Sequence, residues 1–135
     1  MTSPHQDHAV IWIDDRDARI IRFSPGPAAD GEALRPLHAP RHFHVKTDDA
    51  SGKAAGDPSE LYRDIVKAVA GARAVLITGP SSAKTEFVKF LHRHAPDLFE
   101  RVGGIETLAR VTDRQLIAEG RRYFARSEQF RSRIA

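Results

Sequence analysis

Cysteine is absent from the 135 residues, which excludes disulfides, zinc–thiolate sites and thiol nucleophiles together. Methionine and tryptophan occur once each, and aromatic residues make up only 7% of the chain, so few rings are free to stack on bases. No apolar run approaches the length of a membrane span. The N-terminal Met-Thr-Ser-Pro-His-Gln-Asp-His has no basic segment followed by an apolar one. A single domain, cytoplasmic and independent of membranes, is the expectation. Neither sign of charge dominates, since 21 Lys and Arg oppose 18 Asp and Glu. The balance is uneven along the chain, however: residues 1–57 hold seven basic against nine acidic side chains, and residues 58–135 hold fourteen against nine. A basic second half fits contact with RNA or another polyanion as well as a solvated surface.

Ala9-Val10-Ile11-Trp12-Ile13 and Ala18-Arg19-Ile20-Ile21-Arg22-Phe23 read as two strands joined by the tight turn Asp14-Asp15-Arg16-Asp17. In the second, Ala18, Ile20 and Arg22 fall on one face and Arg19, Ile21 and Phe23 on the other, and one face is expected to be only half covered. Ser24 to Pro36 lacks periodicity and reads as a surface loop. Phe43 and Val45 face inward on a third strand, with His42, His44 and Lys46 opposite, and Pro40 keeps that strand at an edge. Thr47 to Gly56 is polar and reads as a mobile loop. Asp57-Pro58-Ser59-Glu60 predicts a capped helix with Leu61, Ile65, Ala68 and Val69 inward, ending at Gly71.

Ala74-Val75-Leu76-Ile77 is a short apolar run, rich in β-branched residues and closed by Thr78-Gly79-Pro80, which predicts a buried strand. A helix follows, capped by Ser81 or Ser82, with Phe87, Phe90, Leu91 and His94 along one face. Ala95-Pro96-Asp97 stops it, and a strand lies around Arg101 to Glu106. A second capping box, Thr112-Asp113-Arg114-Gln115, opens a last helix with Leu116, Ile117, Gly120, Tyr123 and Phe124 inward. The order β-β-β-α-β-α-β-α predicts an α/β domain: a mixed sheet with antiparallel N-terminal strands and βα crossovers, ribonuclease-H-like. Residues 1–7 are expected to be disordered, residues 8–126 to form the domain, and residues 127–135 to be a C-terminal tail.

Lys84-Thr85 after a strand and a glycine invites comparison with a phosphate loop, but the residue before Lys84 is alanine and Gly79 lies five positions before the lysine. His38, His42 and His44 cluster without further ligands, so no metal is expected there. Asp14, Asp15 and Asp17 suit a hairpin turn. A metal-dependent nuclease built on Asp14 and Asp15 is the enzymatic alternative, and it requires carboxylates from other elements, for which Glu60 and Glu106 are the candidates. No catalytic residue, metal or cofactor is assigned. Basic residues of the last two long helices, Lys84, Lys89, Arg93, Arg114, Arg121 and Arg122, are the candidate RNA contacts, because Lys and Arg pair with phosphate.

The hairpin Ala9 to Ile20, the segment Leu76 to Phe87 and Gly104-Ile105-Glu106-Thr107 together resemble the middle domain of archaeal and eukaryotic peptide-chain release factors and of Pelota. They are especially similar to small bacterial relatives termed translational machinery proteins. The resemblance extends from His8 to Phe124. In release factors that domain carries a Gly-Gly-Gln loop that assists hydrolysis of peptidyl-tRNA. Its counterpart here, Thr47 to Gly56 with Asp49, Ser51, Gly52 and Lys53, lacks the tripeptide, and Gly103-Gly104 is followed by Ile105. The resemblance therefore implies a non-catalytic protein that binds RNA or the ribosome, in rescue or dormancy. A protein-interaction module that kept the fold and lost RNA is the other non-enzymatic alternative.

Overall fold

The computed structural model describes residues 7–24, 35–36, 39–45, 47–48, 53–54 and 58–134. The hairpin forms as expected, with β1 (His8–Ile13) antiparallel to β2 (Asp17–Ser24), Ile13 opposite Ala18 and His8 opposite Phe23. Asp14 sets the turn: its Oδ1 accepts from the amides of Arg16 (2.9 Å) and Asp17 (2.7 Å), an aspartate side chain standing in for a turn carbonyl. Along the outer edge of β2 lie the two-residue β3 (Arg35–Pro36) and β4 (Arg41–His44). The loop expected over Ser24 to Pro36 thus ends in strand pairing at Arg35–Pro36. Two residues of the segment expected to be a mobile loop, β5 (Thr47–Asp48), pair with β6 (Lys53–Ala54) as a separate small ladder. Asp49, Ser51 and Gly52 lie outside the described residues, as do His38 and the expected cap Asp57.

Helix α1 (Ser59–Ala68) follows Pro58, and Gly71 turns the chain with φ 82°, a conformation that a β-carbon disfavours. Next, β7 (Ala74–Gly79) lies parallel to β1, with Ile11 opposite Ile77. The buried Thr78 hydroxyl donates to the carbonyl of Ile11 (2.8 Å), so the polar group among these apolar residues has a partner. Then come α2 (Ala83–His94) and the short α3 (Pro96–Phe99). Pro96 therefore opens a new helical turn as well as ending α2. The edge strand β8 (Val102–Thr107) runs parallel to β7, with a register shift that falls at Gly103. Finally, α4 (Asp113–Ile134) continues through the segment expected to be a tail. Its capping box is made as predicted, the Thr112 amide donating to Gln115 Oε1 (2.8 Å) and the Gln115 amide to Thr112 Oγ1 (3.1 Å).

The main sheet runs β3-β2-β1-β7-β8, with β4 sharing the edge of β2. Strand alternation divides the core between its faces. Ala9, Ile11, Ile13, Ala18, Ile20, Val75 and Ile77 pack under α1 and α2, against Leu61, Ile65, Phe87 and Leu91. Val10, Trp12, Ile21, Phe23 and Leu76 pack under α4, against Leu116 and Phe124. Both faces of β2 are therefore covered, and Arg19, beside Ile21 and Phe23, is only 5% exposed. Gly120 lets α4 approach: a methyl there would stand 2.8 Å from the Phe23 ring. The N-terminus is tied down one residue earlier than expected, since Asp7 pairs with Arg22 (2.6 Å) and its carbonyl accepts from the Arg73 amide (2.7 Å). Among the described residues no helix is long and apolar enough to cross a membrane.

Candidate nucleic-acid interface

The carboxyl ends of the parallel strands β1 and β7 form a corner, the usual place for a ligand in an open α/β sheet. A cavity of about 350 Å³ opens there, with Asp14, Asp15, Tyr62, Ser81, Ser82 and Glu86 among its lining residues. Burial, then the nearby Glu86 carboxylate, pushes the Tyr62 hydroxyl above its ordinary value of 10.0. The corner does not converge as a two-metal nuclease requires. Asp14 spends one oxygen on its own turn and offers the other to Arg110 (3.3 Å). Among the described residues no group of three carboxylates or imidazoles stands close enough to share a metal ion. Glu60 and Glu106, on α1 and β8, are not among the residues that line the cavity.

The histidines of β4 hydrogen-bond to carboxylates. His44 Nδ1 meets Asp17 Oδ1 (2.6 Å) and His42 Nε2 meets Asp113 Oδ2 (3.0 Å). Burial raises the Asp17 carboxyl, but the hydrogen bonds and charges of His44 and Arg110 together outweigh it and hold the group below its ordinary 3.8. Asp113 is lowered against burial in the same way by His42 and Arg19. Arg19 and Arg110 both lie over the Trp12 ring, at 4.7 and 5.2 Å, and the indole N–H donates to the carbonyls of Leu108 (3.2 Å) and Ala109 (3.3 Å). This network fastens the segment before α4 to the first hairpin. Its centre, the buried Arg19, has no signal in the sequence beyond its place beside Ile21 and Phe23.

The candidate RNA contacts divide between opposite faces of the sheet. Lys84, Lys89 and Arg93 belong to α2, whereas Arg114, Arg121 and Arg122 belong to α4 on the far side. They do not form one surface. Lys84 Nζ folds back to the carbonyl of Ser81 (2.8 Å), Lys89 meets Glu86 (3.4 Å) and Arg122 meets Glu119. Arg114, Arg121 and Arg122 are exposed beside the small Ala118 and Ala125. Lys53 lies in β6, in the small ladder.

Around α2 the structure adds residues that the sequence reading missed. Exposed Arg63 and Lys67 of α1 face Lys89 and Arg93 of α2 across a groove made of two adjoining depressions, of about 260 and 250 Å³. Phe90 and His94 line both, their rings 4.7 Å apart, and Phe90 rests on Tyr62 at 5.1 Å. Phe90, expected in the core, is only partly buried. The available signal was the i, i+4 spacing of Arg63 and Lys67 opposite Leu61 and Ile65. What it lacked was that both crossover helices lie on one face.

The sequence matches no protein-family model and no curated protein. The fold does have solved counterparts. Archaeoglobus fulgidus Pelota superposes with a TM-score of 0.59 at 14% identity, over 90% of this chain and 32% of that one. Thermoplasma acidophilum Pelota gives 0.52 at 14% identity, over 83% of this chain and 31% of the other. An archaeal translation termination factor, aRF1, gives 0.51 at 14% identity, over 96% and 41%. The chain thus spans between 31% and 41% of the length of these structures and shares the α/β fold found in part of each.

Proposed function

We propose that this chain is a translation-associated protein that binds RNA or the ribosome and does not hydrolyse peptidyl-tRNA. The observation that carries the reading is the extent of the fold shared with Pelota, 90% of this chain. The middle-domain resemblance at the β1–β2 hairpin and the β7–α2 segment supports the same assignment. So does the charge of residues 58–135, which places cations on two exposed helical surfaces. The Gly-Gly-Gln sequence occurs nowhere in the chain, and the Thr47 to Gly56 segment offers no replacement for it. The protein acts by occupancy, in ribosome rescue or dormancy, in the cytoplasm and without a cofactor. Sedimentation of a lysate through a sucrose gradient at low salt tests this: the protein should travel with ribosomal fractions. Its absence from all of them would overturn the proposal. Purified protein should leave peptidyl-tRNA on ribosomes intact, and release above the buffer rate would contradict the non-hydrolytic part.

A further inference from the structure

We infer that the groove between α1 and α2 binds single-stranded RNA, its phosphates on Arg63, Lys67 and Arg93 and an unpaired base against Phe90 and His94. The inference rests on the RNA-associated reading above and names the surface and the form of RNA. Three properties coincide there. The first is charge: among the described residues Glu86 is the carboxylate lining these depressions, and Lys89 already neutralises it. No carboxylate of the described residues pairs with Arg63, Lys67 or Arg93, so their charge is available to a polyanion. The second is concavity, since the two depressions share Arg63, Phe90 and His94 and so form one track. The third is aromatic surface, with Phe90 held by Tyr62 from beneath and His94 beside it.

A basic groove floored by rings is the usual platform for a single strand, because every base has a stacking face and the backbone follows the cations. A duplex keeps its bases stacked on one another and would leave Phe90 unused. The other basic surface differs at this point. Arg114, Arg121 and Arg122 of α4 border exposed alanines, where a base finds no ring.

Fluorescence anisotropy with the full chain tests the inference, using a labelled 12-mer of uridylate and a blunt RNA duplex of the same length. The single strand should bind more tightly than the duplex. Phe90→Leu keeps apolar volume but removes the ring, and should weaken single-strand binding on the order of tenfold. The double variant R63Q/R93Q removes two exposed phosphate partners. It should reduce the slope of log affinity against log salt by about 1.4, near 0.7 for each contact. R121Q/R122Q on the opposite face should change neither quantity. Circular dichroism establishes that each variant is folded. Should Phe90→Leu unfold, the salt slope of R63Q/R93Q decides alone.

Equal affinity for duplex and single strand with an unchanged Phe90→Leu, an unchanged salt slope in R63Q/R93Q, or loss of binding on altering α4 instead would each overturn the groove. Co-sedimentation with ribosomes by a chain that shows no preference for the single strand and no response to the groove substitutions would remove the groove and leave the translation reading intact. Single-strand binding through the groove without ribosome association would do the reverse.

Discussion

Replacing Gly79 by alanine tests the close approach that places the β7–α2 turn beside the first hairpin. A methyl at that position would stand 3.3 Å from the carbonyl carbon of Ile13 and inside contact distance of its oxygen. The obstacle is backbone, so no rotamer change can relieve it. Ile13 ends a strand that is buried along its whole length between β2 and β7, and the Gly79 carbonyl itself accepts from the Leu108 amide (2.8 Å). Overpacking a well-filled site costs roughly 1–3 kcal/mol, and a collision with immobile main chain belongs at the upper end, about 3 kcal/mol. For a domain of this size 1 kcal/mol corresponds to roughly 3–5 °C, so the melting temperature should fall by on the order of 10–15 °C. Thermal circular dichroism measures it. Gly120→Ala is the comparison, because the atoms it meets belong to the Phe23 and Val10 side chains and a helix gains up to about 1 kcal/mol from the exchange. The reasoning is refuted if Gly79→Ala melts within about 3 °C of the parent chain, less than 1 kcal/mol would produce.

Three further outcomes follow from the ion pairs and caps. Arg19 has Nε and Nη2 buried without hydrogen-bond partners, while Nη1 meets Asp113 (3.0 Å). Arg19→Met should therefore cost under about 1 kcal/mol in urea unfolding, whereas Asp113→Asn leaves the buried guanidinium uncompensated and should cost about 3 kcal/mol; the opposite ranking would contradict the account. Thr112→Ala removes one half of the capping box and should cost about 1 kcal/mol, and an unaltered denaturation midpoint would show that the cap is idle. Asp17 and Asp113 are held below 3.8 in the folded chain, so each contributes stability that is complete above that pH and is lost as pH falls through the lower folded value. Acid unfolding should accordingly shift to higher pH in Asp17→Asn, and an unshifted midpoint would count against the His44 and Arg110 contacts.

Much of the architecture was legible in short stretches. The hairpin, the buried β7 and the capping box of α4 are each set by residues within about one turn or strand of one another, so local pattern suffices. The same locality explains the corrections. Residues 127–134 carry few apolar side chains, yet they propagate a helix already nucleated at Thr112, and propagation adds a hydrogen bond for each residue ordered. Arg35–Pro36 enters a strand because β2 extends past β4 and leaves an edge to pair. Arg19 shares a strand face with Ile21 and Phe23, and only the fold brings Asp113 at the start of α4 to it.

The sequence by itself determined the α/β class, the inward faces of the helices and the absence of thiol chemistry, because composition and periodicity are properties of neighbours along the chain. Only the tertiary structure decided which cations act together. The crossover helices α1 and α2 share one face of the sheet and α4 takes the other, so residues thirty positions apart, Arg63 and Arg93, line one groove. Arg93 and Arg114, closer in sequence, stand on opposite sides of the molecule. Sheet topology sets that partition, and it arises from long-range pairing of β1 with β7, which no local pattern encodes.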